Sequence, residues 1–178
     1  INGMGRIGRL VLRSIIERND KNLEIKHINN RTGPEVVSSL IKYDSIHGTL
    51  NAKITHTKNQ LIVNKKKISY SQESNIENIQ WNKYGVDIVF ECTGKFNSKD
   101  KVLNHIKNGA KKVIVSAPCK NADKTIVYGV NEKKINKKDK IISAASCTTN
   151  CLAPVVDIMH KNFKIKNGFM TTIHAFTS

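Results

Sequence analysis

The chain of 178 residues is long enough for one hydrophobic core, or for one domain and part of a second. An apolar fraction of 39% suits an α/β protein, and no stretch approaches the roughly 20 apolar residues that span a bilayer, so we expect no membrane partner. The formal net charge of +16 invites nucleic-acid binding, but the lysine clusters are short, which indicates a solvated surface that also attracts phosphorylated ligands.

The first part of the chain alternates between helix and strand patterns. Apolar residues recur at helical spacing over 9–18, directly after three closely spaced glycines, and residues 35–43 form a second helical segment. The alternating residues 23–28 predict a strand between them, ending at Asn29-Asn30. Antiparallel meander strands, inserted into the α/β chain, are predicted at 53–56, 60–63 and 66–70.

The middle of the chain predicts buried strands with a crossover helix. Strands are predicted at 86–94, 112–117, 125–130 and 141–145, with a helix at 99–108. Right-handed crossovers then give a Rossmann-like, doubly wound, mostly parallel sheet that binds ligands at the carboxyl ends of its strands.

A new pattern begins near residue 147. A helical stripe covers 148–163, with Pro154 tolerable in its first turn, and an alternating run over 168–176 predicts a strand. We therefore divide the chain into one domain over 1–146 and the start of an α+β domain over 147–178. The chain has no initiator Met and ends after an apolar run, so we expect residues to be missing at both ends.

Three glycines near the start suit a dinucleotide-binding turn. Gly3, Gly5 and Gly8 have the spacing in which one glycine makes a tight turn, one admits the backbone to a pyrophosphate and one allows close helix packing. A helix follows them, and a strand ends about 20 residues further on, where a ribose-binding side chain belongs. A plain glycine turn is the alternative.

Cys147 lies between a predicted strand and a predicted helix. A helix N-terminus stabilises the thiolate form of a cysteine, which is the nucleophilic form. The hydroxyls of Ser146, Thr148 and Thr149 offer donors for a phosphate or a developing oxyanion. A capped helix with a small buried cysteine is the alternative.

The cysteine spacing argues against disulfides and metals. The cysteines are at positions 92, 119, 147 and 151. They form no paired framework of the kind that secreted domains use, which favours a reducing, cytoplasmic location. Cys151 shares a helix face with Cys147, but no matching Cys/His pair follows, so we predict no metal site.

His174 lies in an apolar run, where a histidine is usually a hydrogen-bonded structural residue. If Cys147 is a nucleophile, it needs a base or an ion-pair partner that the fold brings near, and His174 is then the candidate. No role is assigned to the histidines at positions 27, 47, 56, 105 and 160.

Three segments together resemble the signatures of glyceraldehyde-3-phosphate dehydrogenases. They are Ile-Asn-Gly-Met-Gly-Arg-Ile-Gly-Arg at 1–9, Ala-Ser-Cys-Thr-Thr-Asn-Cys at 145–151 and Thr-Thr-Ile-His-Ala at 171–175. Supporting similarities occur at 42–45, 47–48, 91–94, 116–118 and 128–131. The resemblance covers essentially the whole chain, and it implies a nicotinamide-dinucleotide-binding domain over 1–146 followed by the start of a catalytic domain over 147–178.

The resemblance also implies a reaction, the phosphorylating oxidation of glyceraldehyde 3-phosphate to 1,3-bisphosphoglycerate in glycolysis and gluconeogenesis. Its partners would be the phosphorylated aldehyde, inorganic phosphate and NAD, with NADP as a second candidate cofactor. Cys147 would attack the aldehyde to give a thiohemiacetal, His174 would take the proton, and phosphate would release the resulting thioester. Ser146 and Thr148 would help to bind a phosphate group. The full-length chain would form a cytoplasmic homotetramer.

The resemblance and the glycine pattern together predict the cofactor contacts. These are Asn2, Gly3, Gly5, Arg6, Ile7, Gly8, Asn30, Arg31, Thr93, Gly94 and Ser116.

Two departures from the family pattern concern the cofactor. The family usually has Asn-Asp where this chain has Asn29-Asn30, and a carboxylate there bonds the adenosine ribose and repels the 2′-phosphate of NADP. Asn30 has no charge to repel, and Arg31 would pair with a 2′-phosphate if it points into the cleft. We therefore predict that NADP is used beside NAD.

The second departure is Glu73-Ser74, which stands where the family often has a glutamate followed by an arginine. It removes one polar contact to the cofactor region.

Rival interpretations come from three classes. Erythrose-4-phosphate dehydrogenase shares the cysteine motif, but residues 116–118 and 174–177 are closer to the glyceraldehyde enzyme. The others are a nucleic-acid-binding module that uses the positive charge, and a non-catalytic fragment that only binds cofactor. We expect the 178-residue chain alone to be inactive, because its second domain stops after one helix and one strand.

Overall fold

Residues 1–175, the part of the chain that the computed structural model describes, contain ten strands, four α-helices and three short 3-10 helices, at Ile76–Asn78, Trp81–Tyr84 and Glu132–Lys134. The strands are β1 (His27–Asn29), β2 (Tyr43–Asp44), β3 (Gly48–Thr49), β4 (Ile54–Thr57), β5 (Gln60–Val63), β6 (Lys66–Ser71), β7 (Ile88–Glu91), β8 (Lys112–Val115), β9 (Lys124–Thr125) and β10 (Ile141–Ser143). The helices are α1 (Arg6–Arg18), α2 (Pro34–Lys42), α3 (Lys99–Lys107) and α4 (Cys147–Phe163). None of these helices is long and apolar enough to cross a membrane.

Asn2 lies at the centre of the main sheet. It bridges in parallel to Asn29 of β1 on one side and to Glu91 of β7 on the other, which gives the order β4-β5-β6-β1-Asn2-β7-β8-β10-β9. Every pairing from β6 across to β9 is parallel, so the carboxyl ends of these strands meet at one edge. The predicted Rossmann-like fold class is confirmed.

Helices cover both faces of this sheet. In β7, Val89 packs in a core with Val102 of α3, whereas its neighbour Phe90 packs against a core that contains Leu12 of α1 and Ile41 of α2. Successive side chains of a strand point to opposite faces. Helices α1 and α3 therefore lie on opposite sides of the sheet, as a doubly wound fold requires.

The predicted meander is partly a component of the parallel sheet. Strands β4, β5 and β6 pair antiparallel, with Leu61 opposite Ile68, but β6 also pairs in parallel with β1, where Ile28 lies opposite Tyr70. Ile28, Ile68 and Tyr70 are buried in the same core, so β6 buries its apolar side chains by joining the main sheet. Only β4 and β5 lie outside the parallel part of this sheet.

Strand β9 has two residues, shorter than the predicted strand at 125–130. The side chain of Asn131 explains the difference. It donates to the carbonyl of Thr125 and accepts from the N–H of Val127, so a turn replaces the strand.

The segment after α4 departs from the sequence prediction. Residues 164–175 form no strand, so the strand expected at 168–176 is wrong over 168–175, and residue 176 lies outside the described residues. A strand needs a neighbour for its backbone N–H and C=O groups, and this segment pairs with no other strand in residues 1–175. Pro154 also lies inside α4 and not in its first turn.

Candidate functional site

A cleft of about 310 Å³ opens at the carboxyl ends of the central strands. One wall is the glycine loop after Asn2, and another consists of residues 29–32 after β1. Residues 73–79 after β6 and 92–96 after β7 supply the rest of the lining. Three strand ends and the N-terminus of α1 thus converge on one space, which is where α/β sheets bind ligands.

The three glycines have different reasons to be glycines. Gly3 has φ +90°, and a Cβ there would lie 2.9 Å from the backbone N of Thr93. A Cβ on Gly8 would lie 1.9 Å from the carbonyl oxygen of Gly3, so this glycine lets α1 pack closely against the loop. Gly5 has an ordinary φ of −69°, and a Cβ there would meet nothing within 4 Å. The fold itself therefore does not require glycine at position 5, and the free space is on the cleft side.

The N-terminus of α1 offers uncapped backbone donors to the cleft. Gly5 is its N-cap residue and provides no side-chain hydrogen bond, and the first turn contains no acidic residue. The first N–H groups of a helix lack partners within the helix, and they carry the positive end of its dipole. Such an end suits an anion, and the space beside Gly5 admits one, so these residues fit the pyrophosphate of a dinucleotide.

Asn30 and Arg31 both lie on the cleft wall. The Asn30 side chain fastens this wall to the glycine loop, because Oδ1 accepts from the N–H of Met4 at 2.9 Å and Nδ2 donates to the carbonyl of Thr32 at 3.1 Å. The Arg31 carbonyl accepts from Gln72 at 3.1 Å. Its guanidinium makes no hydrogen bond or ion pair with any residue from 1 to 175.

The side chains of Arg6 and Ile7 do not line the cleft. The Arg6 guanidinium forms a two-point ion pair with Asp44, with Nη2 3.1 Å from Oδ1. Hydrogen bonds from the N–H groups of His47 and Ile46, together with Arg6, hold the pKa of Asp44 well below its ordinary value. Ile7 is exposed. Only their backbone N–H groups are placed for the predicted cofactor contact.

Gly94 and Ser116 do not line this cleft, although each follows a strand that ends beside it. Gly94 follows β7 with φ +71°, and a Cβ there would meet nothing within 4 Å. Ser116 follows β8, its N–H donates to the carbonyl of Glu91 at 3.0 Å, and its side chain lies near the thiol of Cys92, which lines the cleft. Burial is the main cause that raises the pKa of this thiol, so Cys92 is protonated at neutral pH.

A buried polar network under the cleft was missed by the sequence analysis. Glu91, at 1% exposure, accepts hydrogen bonds from Asn2, Thr93 and His105. His105, to which no role was assigned, is fully buried in α3 and accepts from Trp81 at 2.9 Å. The available signal was Glu91 in an otherwise apolar strand, because a buried carboxylate requires donors around it.

Cys147 is the first residue of α4, and its side chain is exposed within residues 1–175. Ser146 caps the helix, with its Oγ accepting from the N–H of Thr149 at 3.0 Å. Ala145 before it has φ +61°, a left-handed conformation that costs a non-glycine residue about 1 kcal/mol or more. Nδ2 of Asn150 donates to the carbonyls of Ala144 at 2.7 Å and Ser146 at 2.8 Å and so holds this turn on both sides.

His174 lies beside the first turn of α4. Its Nε2 is 2.9 Å from the hydroxyl of Thr172 and 3.4 Å from that of Thr148, the residue after Cys147. The structure thus brings together two segments that are far apart in sequence, although no hydrogen bond joins His174 to the thiol of Cys147.

A second cavity, of about 480 Å³, adjoins the cysteine turn. Ser146 and Thr149 line it together with Asn97 and with Thr125 and Ser143 at the ends of β9 and β10. Its residue Asn97 directly follows Phe96, which lines the first cleft. The two spaces are therefore neighbours along the carboxyl edge of the sheet.

Comparison with known families agrees with this geometry. Residues 1–99 match the family model described as glyceraldehyde 3-phosphate dehydrogenase, NAD binding domain. The chain belongs to the glyceraldehyde-3-phosphate dehydrogenase family. Residues 146–178 match the model described as glyceraldehyde 3-phosphate dehydrogenase, C-terminal domain.

Curated glyceraldehyde-3-phosphate dehydrogenases are similar to this chain over its whole length. The enzyme of Mycoplasma pneumoniae is 49% identical over 179 residues, which is 100% of this chain and 52% of the relative. The enzymes of Geobacillus stearothermophilus and Thermotoga maritima are 47% and 44% identical, again over 100% of this chain and over 53% and 54% of the relatives. The chain therefore spans about half the length of the curated relatives that it matches.

Proposed function

We propose that the protein carrying this chain is a phosphorylating glyceraldehyde-3-phosphate dehydrogenase, with a nicotinamide-binding domain over 1–146 and a catalytic domain that begins at 147. One observation carries the proposal: the exposed thiol of Cys147, at the start of α4, lies on the same sheet edge as the cleft beside Gly5. A nucleophile and an anion-binding helix N-terminus are what cysteine-dependent oxidation with a dinucleotide requires.

NAD is the cofactor that the cleft supports. The free N–H groups of α1 would hold the pyrophosphate beside Gly5, and Asn30 would lie near the adenosine ribose. The nicotinamide, when bound, serves as the acceptor of a hydride. The neutral Asn30 and the Arg31 guanidinium, which has no partner in the described residues 1–175, also leave room for the 2′-phosphate of NADP.

Cys147 would form the covalent intermediate. Its sulfur would attack the aldehyde carbon, the carbonyl oxygen would take a proton, and a thiohemiacetal would result. Loss of a hydride from the carbon to the nicotinamide, together with loss of the hydroxyl proton to a base, would convert this adduct into a thioester, and phosphate would then attack the thioester carbon and displace the thiolate as an acyl phosphate is formed. His174 would accept the proton, a role supported by its place beside Thr148.

Of the hydroxyls at the start of α4, one would cap the helix and another would bind a phosphate group. Ser146 Oγ is engaged as the helix cap and is 2.8 Å from the hydroxyl of Thr149. Among residues 1–175, the Thr148 hydroxyl has only the 3.4 Å contact with His174, so it is the freer donor for a phosphate group. Inorganic phosphate and the phosphorylated aldehyde would both benefit from the helix N-terminus here.

The family resemblance further suggests a cytoplasmic homotetramer. The free thiols of all four cysteines suit a reducing compartment.

Replacing Cys147 tests the proposal. In the full-length protein, Cys147→Ser should abolish aldehyde oxidation, because a serine hydroxyl is a much weaker nucleophile than a cysteine thiolate, while the Kd for NAD stays unchanged. Cys151→Ser is the matched control, since Cys151 is also exposed and lies one helix turn further on. Near-normal turnover of Cys147→Ser, or loss of turnover only in Cys151→Ser, would contradict the assignment.

A further inference from the structure

A buried carboxylate connects the two walls of the cofactor cleft. Glu91 ends β7 directly below the cleft. Its Oε1 accepts from the backbone N–H of Thr93 at 2.7 Å and from the Thr93 hydroxyl, on one wall. Its Oε2 accepts from Nδ2 of Asn2 at 2.6 Å, at the root of the glycine loop, and from Nε2 of His105 at 2.9 Å.

The directions of these hydrogen bonds are determined by chemistry. The indole of Trp81 can only donate, so Nδ1 of His105 accepts its N–H, and the ring proton of His105 is on Nε2. His105 is therefore a neutral donor to Glu91. The four groups that contact Glu91, which belong to Asn2, Thr93 and His105, all donate, and this suits an ionised carboxylate, which only accepts. Protonating Glu91 would place a hydrogen against one of these donors.

The network also determines what Thr93 offers to the cleft. Its backbone N–H and its hydroxyl both point to Glu91, and its Oγ1 also accepts from the N–H of Lys95 at 3.1 Å. No donor of Thr93 remains for a ligand. Its remaining polar capacity is that of an acceptor, a lone pair of Oγ1 and the backbone carbonyl, so it would bind a ligand hydroxyl or amino group and not a phosphate oxygen.

The opposite wall is joined to the same network. Oδ1 of Asn2 accepts from Nδ2 of Asn29 at 2.8 Å, and Oδ1 of Asn29 accepts from the N–H of Glu73 at 2.8 Å. Both Asn29 and Glu73 line the cleft. One buried chain of hydrogen bonds thus runs from Trp81 through Glu91 to three separate parts of the lining.

We propose that Glu91 is a positioning residue for the cofactor, and that His105 and Trp81 act through it. The carboxylate sets the spacing of the glycine loop and the Thr93 loop, and it keeps Thr93 an acceptor. This inference rests on the proposed function, in which the cleft binds NAD. His105 is buried and does not line the cleft, so an effect of its replacement on NAD binding must be transmitted through a neighbour. Its two neighbours towards the cleft are Glu91, by a hydrogen bond, and Phe96, by an edge-on ring contact at 6.3 Å. An aromatic residue at position 105 keeps a ring beside Phe96 and removes only the donor to Glu91.

Two substitutions of His105 separate positioning from packing. His105→Phe fills the space but removes the donor to Glu91, and it should raise the Kd for NAD about tenfold in the full-length protein. His105→Gln can accept from Trp81 and donate to Glu91, so its Kd should stay within about twofold of the parent value. Glu91→Gln, which sets an amide against at least two donors, should weaken NAD binding at least as much as His105→Phe. KM for NAD should rise more than kcat falls.

Val102→Ala is the matched control for lost stability. Val102 is fully buried in α3, one turn from His105, but it has no part in the network. It should lower the melting temperature and leave the Kd for NAD at the parent value, as measured by calorimetry. If His105→Phe, like Val102→Ala, lowers the melting temperature and leaves the Kd for NAD at the parent value, the network is only structural and the proposal is overturned. If the parent protein does not bind NAD, the proposed function fails, and that result is distinct because it precedes every variant.

Discussion

Asn30 carries an amide where a carboxylate would exclude the 2′-phosphate of NADP. The amide already bonds Met4 and Thr32, so its place on the wall is determined by the fold and not by a ligand. Arg31 beside it is a cleft-lining cation with no partner in residues 1–175. We therefore expect the choice between NAD and NADP to depend on the charge at these two adjacent residues.

We expect Asn30→Asp to shift the ratio of kcat/KM towards NAD, since a new carboxylate would repel the 2′-phosphate and bond the 2′-hydroxyl. Arg31→Ala should weaken NADP about tenfold and NAD little, because it removes a charge-assisted pair. Lys95→Ala is the control for general charge, since Lys95 also lines the cleft. Steady-state kinetics with both cofactors measure these ratios. Strict NAD preference that neither substitution changes would show that other residues decide the choice.

Asn150 holds the turn that positions Cys147. Asn150 was only part of a motif in the sequence, yet its amide bonds the carbonyls on both sides of Ala145. The left-handed φ of Ala145 is unfavourable for a residue with a Cβ, and these two bonds offset that cost. Cys147 is thereby presented at the end of α4 with its thiol exposed.

At the scale of elements, the glycine loop and α1 form one unit in which close packing and an open cleft meet. Gly8 is needed because α1 approaches the loop backbone, whereas Gly5 is needed only if something outside the chain approaches. Gly8 is therefore required for packing and Gly5 for ligand access. Substituting Gly8 tests the stability of the fold, and substituting Gly5 tests cofactor binding.

Gly8→Ala should destabilise the protein by at least about 1–3 kcal/mol, the usual cost of overpacking, because its Cβ would lie 1.9 Å from the Gly3 carbonyl oxygen. Gly5→Ala should lower the melting temperature less than Gly8→Ala, since its Cβ meets nothing within 4 Å and only the preference of the N-cap position for glycine over alanine is lost, but it should weaken NAD binding by tenfold or more by obstructing the pyrophosphate. Thermal unfolding without ligand and calorimetry with NAD measure the two effects. Unchanged NAD affinity in Gly5→Ala would exclude this position from the cofactor site.

The apolar side chains of helix α4 are exposed. It contains no buried residue, and Val155, Ile158 and Phe163 are all exposed. Its apolar stripe predicted a helix correctly but found no packing partner within residues 1–175. That the 178-residue chain alone is inactive stays a prediction.

At the scale of the whole molecule, a second buried histidine, His27 of β1, makes stability depend on pH. His27 bonds the hydroxyls of Ser69 and Ser71 across the β1–β6 pair, each at 2.8 Å, and stacks on Tyr84 at 3.7 Å. Burial lowers the pKa of His27 from 6.5 to about 3. The folded state therefore holds His27 neutral at a pH where the unfolded state binds a proton.

Stability should consequently decrease as pH falls below about 6.5, the unfolded pKa, and continue to decrease towards 3. Above pH 6.5 both states are neutral and the contribution is fully present. We expect the melting temperature of His27→Asn to depend less on pH between 7 and 5 than that of the parent, whatever its absolute value. Parallel curves for the two proteins would contradict a buried neutral His27.

By itself, the sequence determined the features that local patterns encode: the α/β alternation, the glycine loop before α1, and Cys147 at a helix start. These follow from the periods of helix and strand and from the backbone freedom of glycine, which act over a few neighbouring residues. The functional resemblance was also in the sequence, because its motifs are contiguous.

Only the tertiary structure decided which polar groups meet. Asn2 and Glu91 are 89 positions apart, and the Trp81 to His105 bond joins a turn to α3 across 24 positions, so no local period signals either contact. The pairing of β6 with β1 and the lack of a strand at 168–175 depend in the same way on which neighbour is present. Strand pairing and buried hydrogen bonds are satisfied between distant segments, and a buried carboxylate such as Glu91 is stable only where the fold brings its donors together.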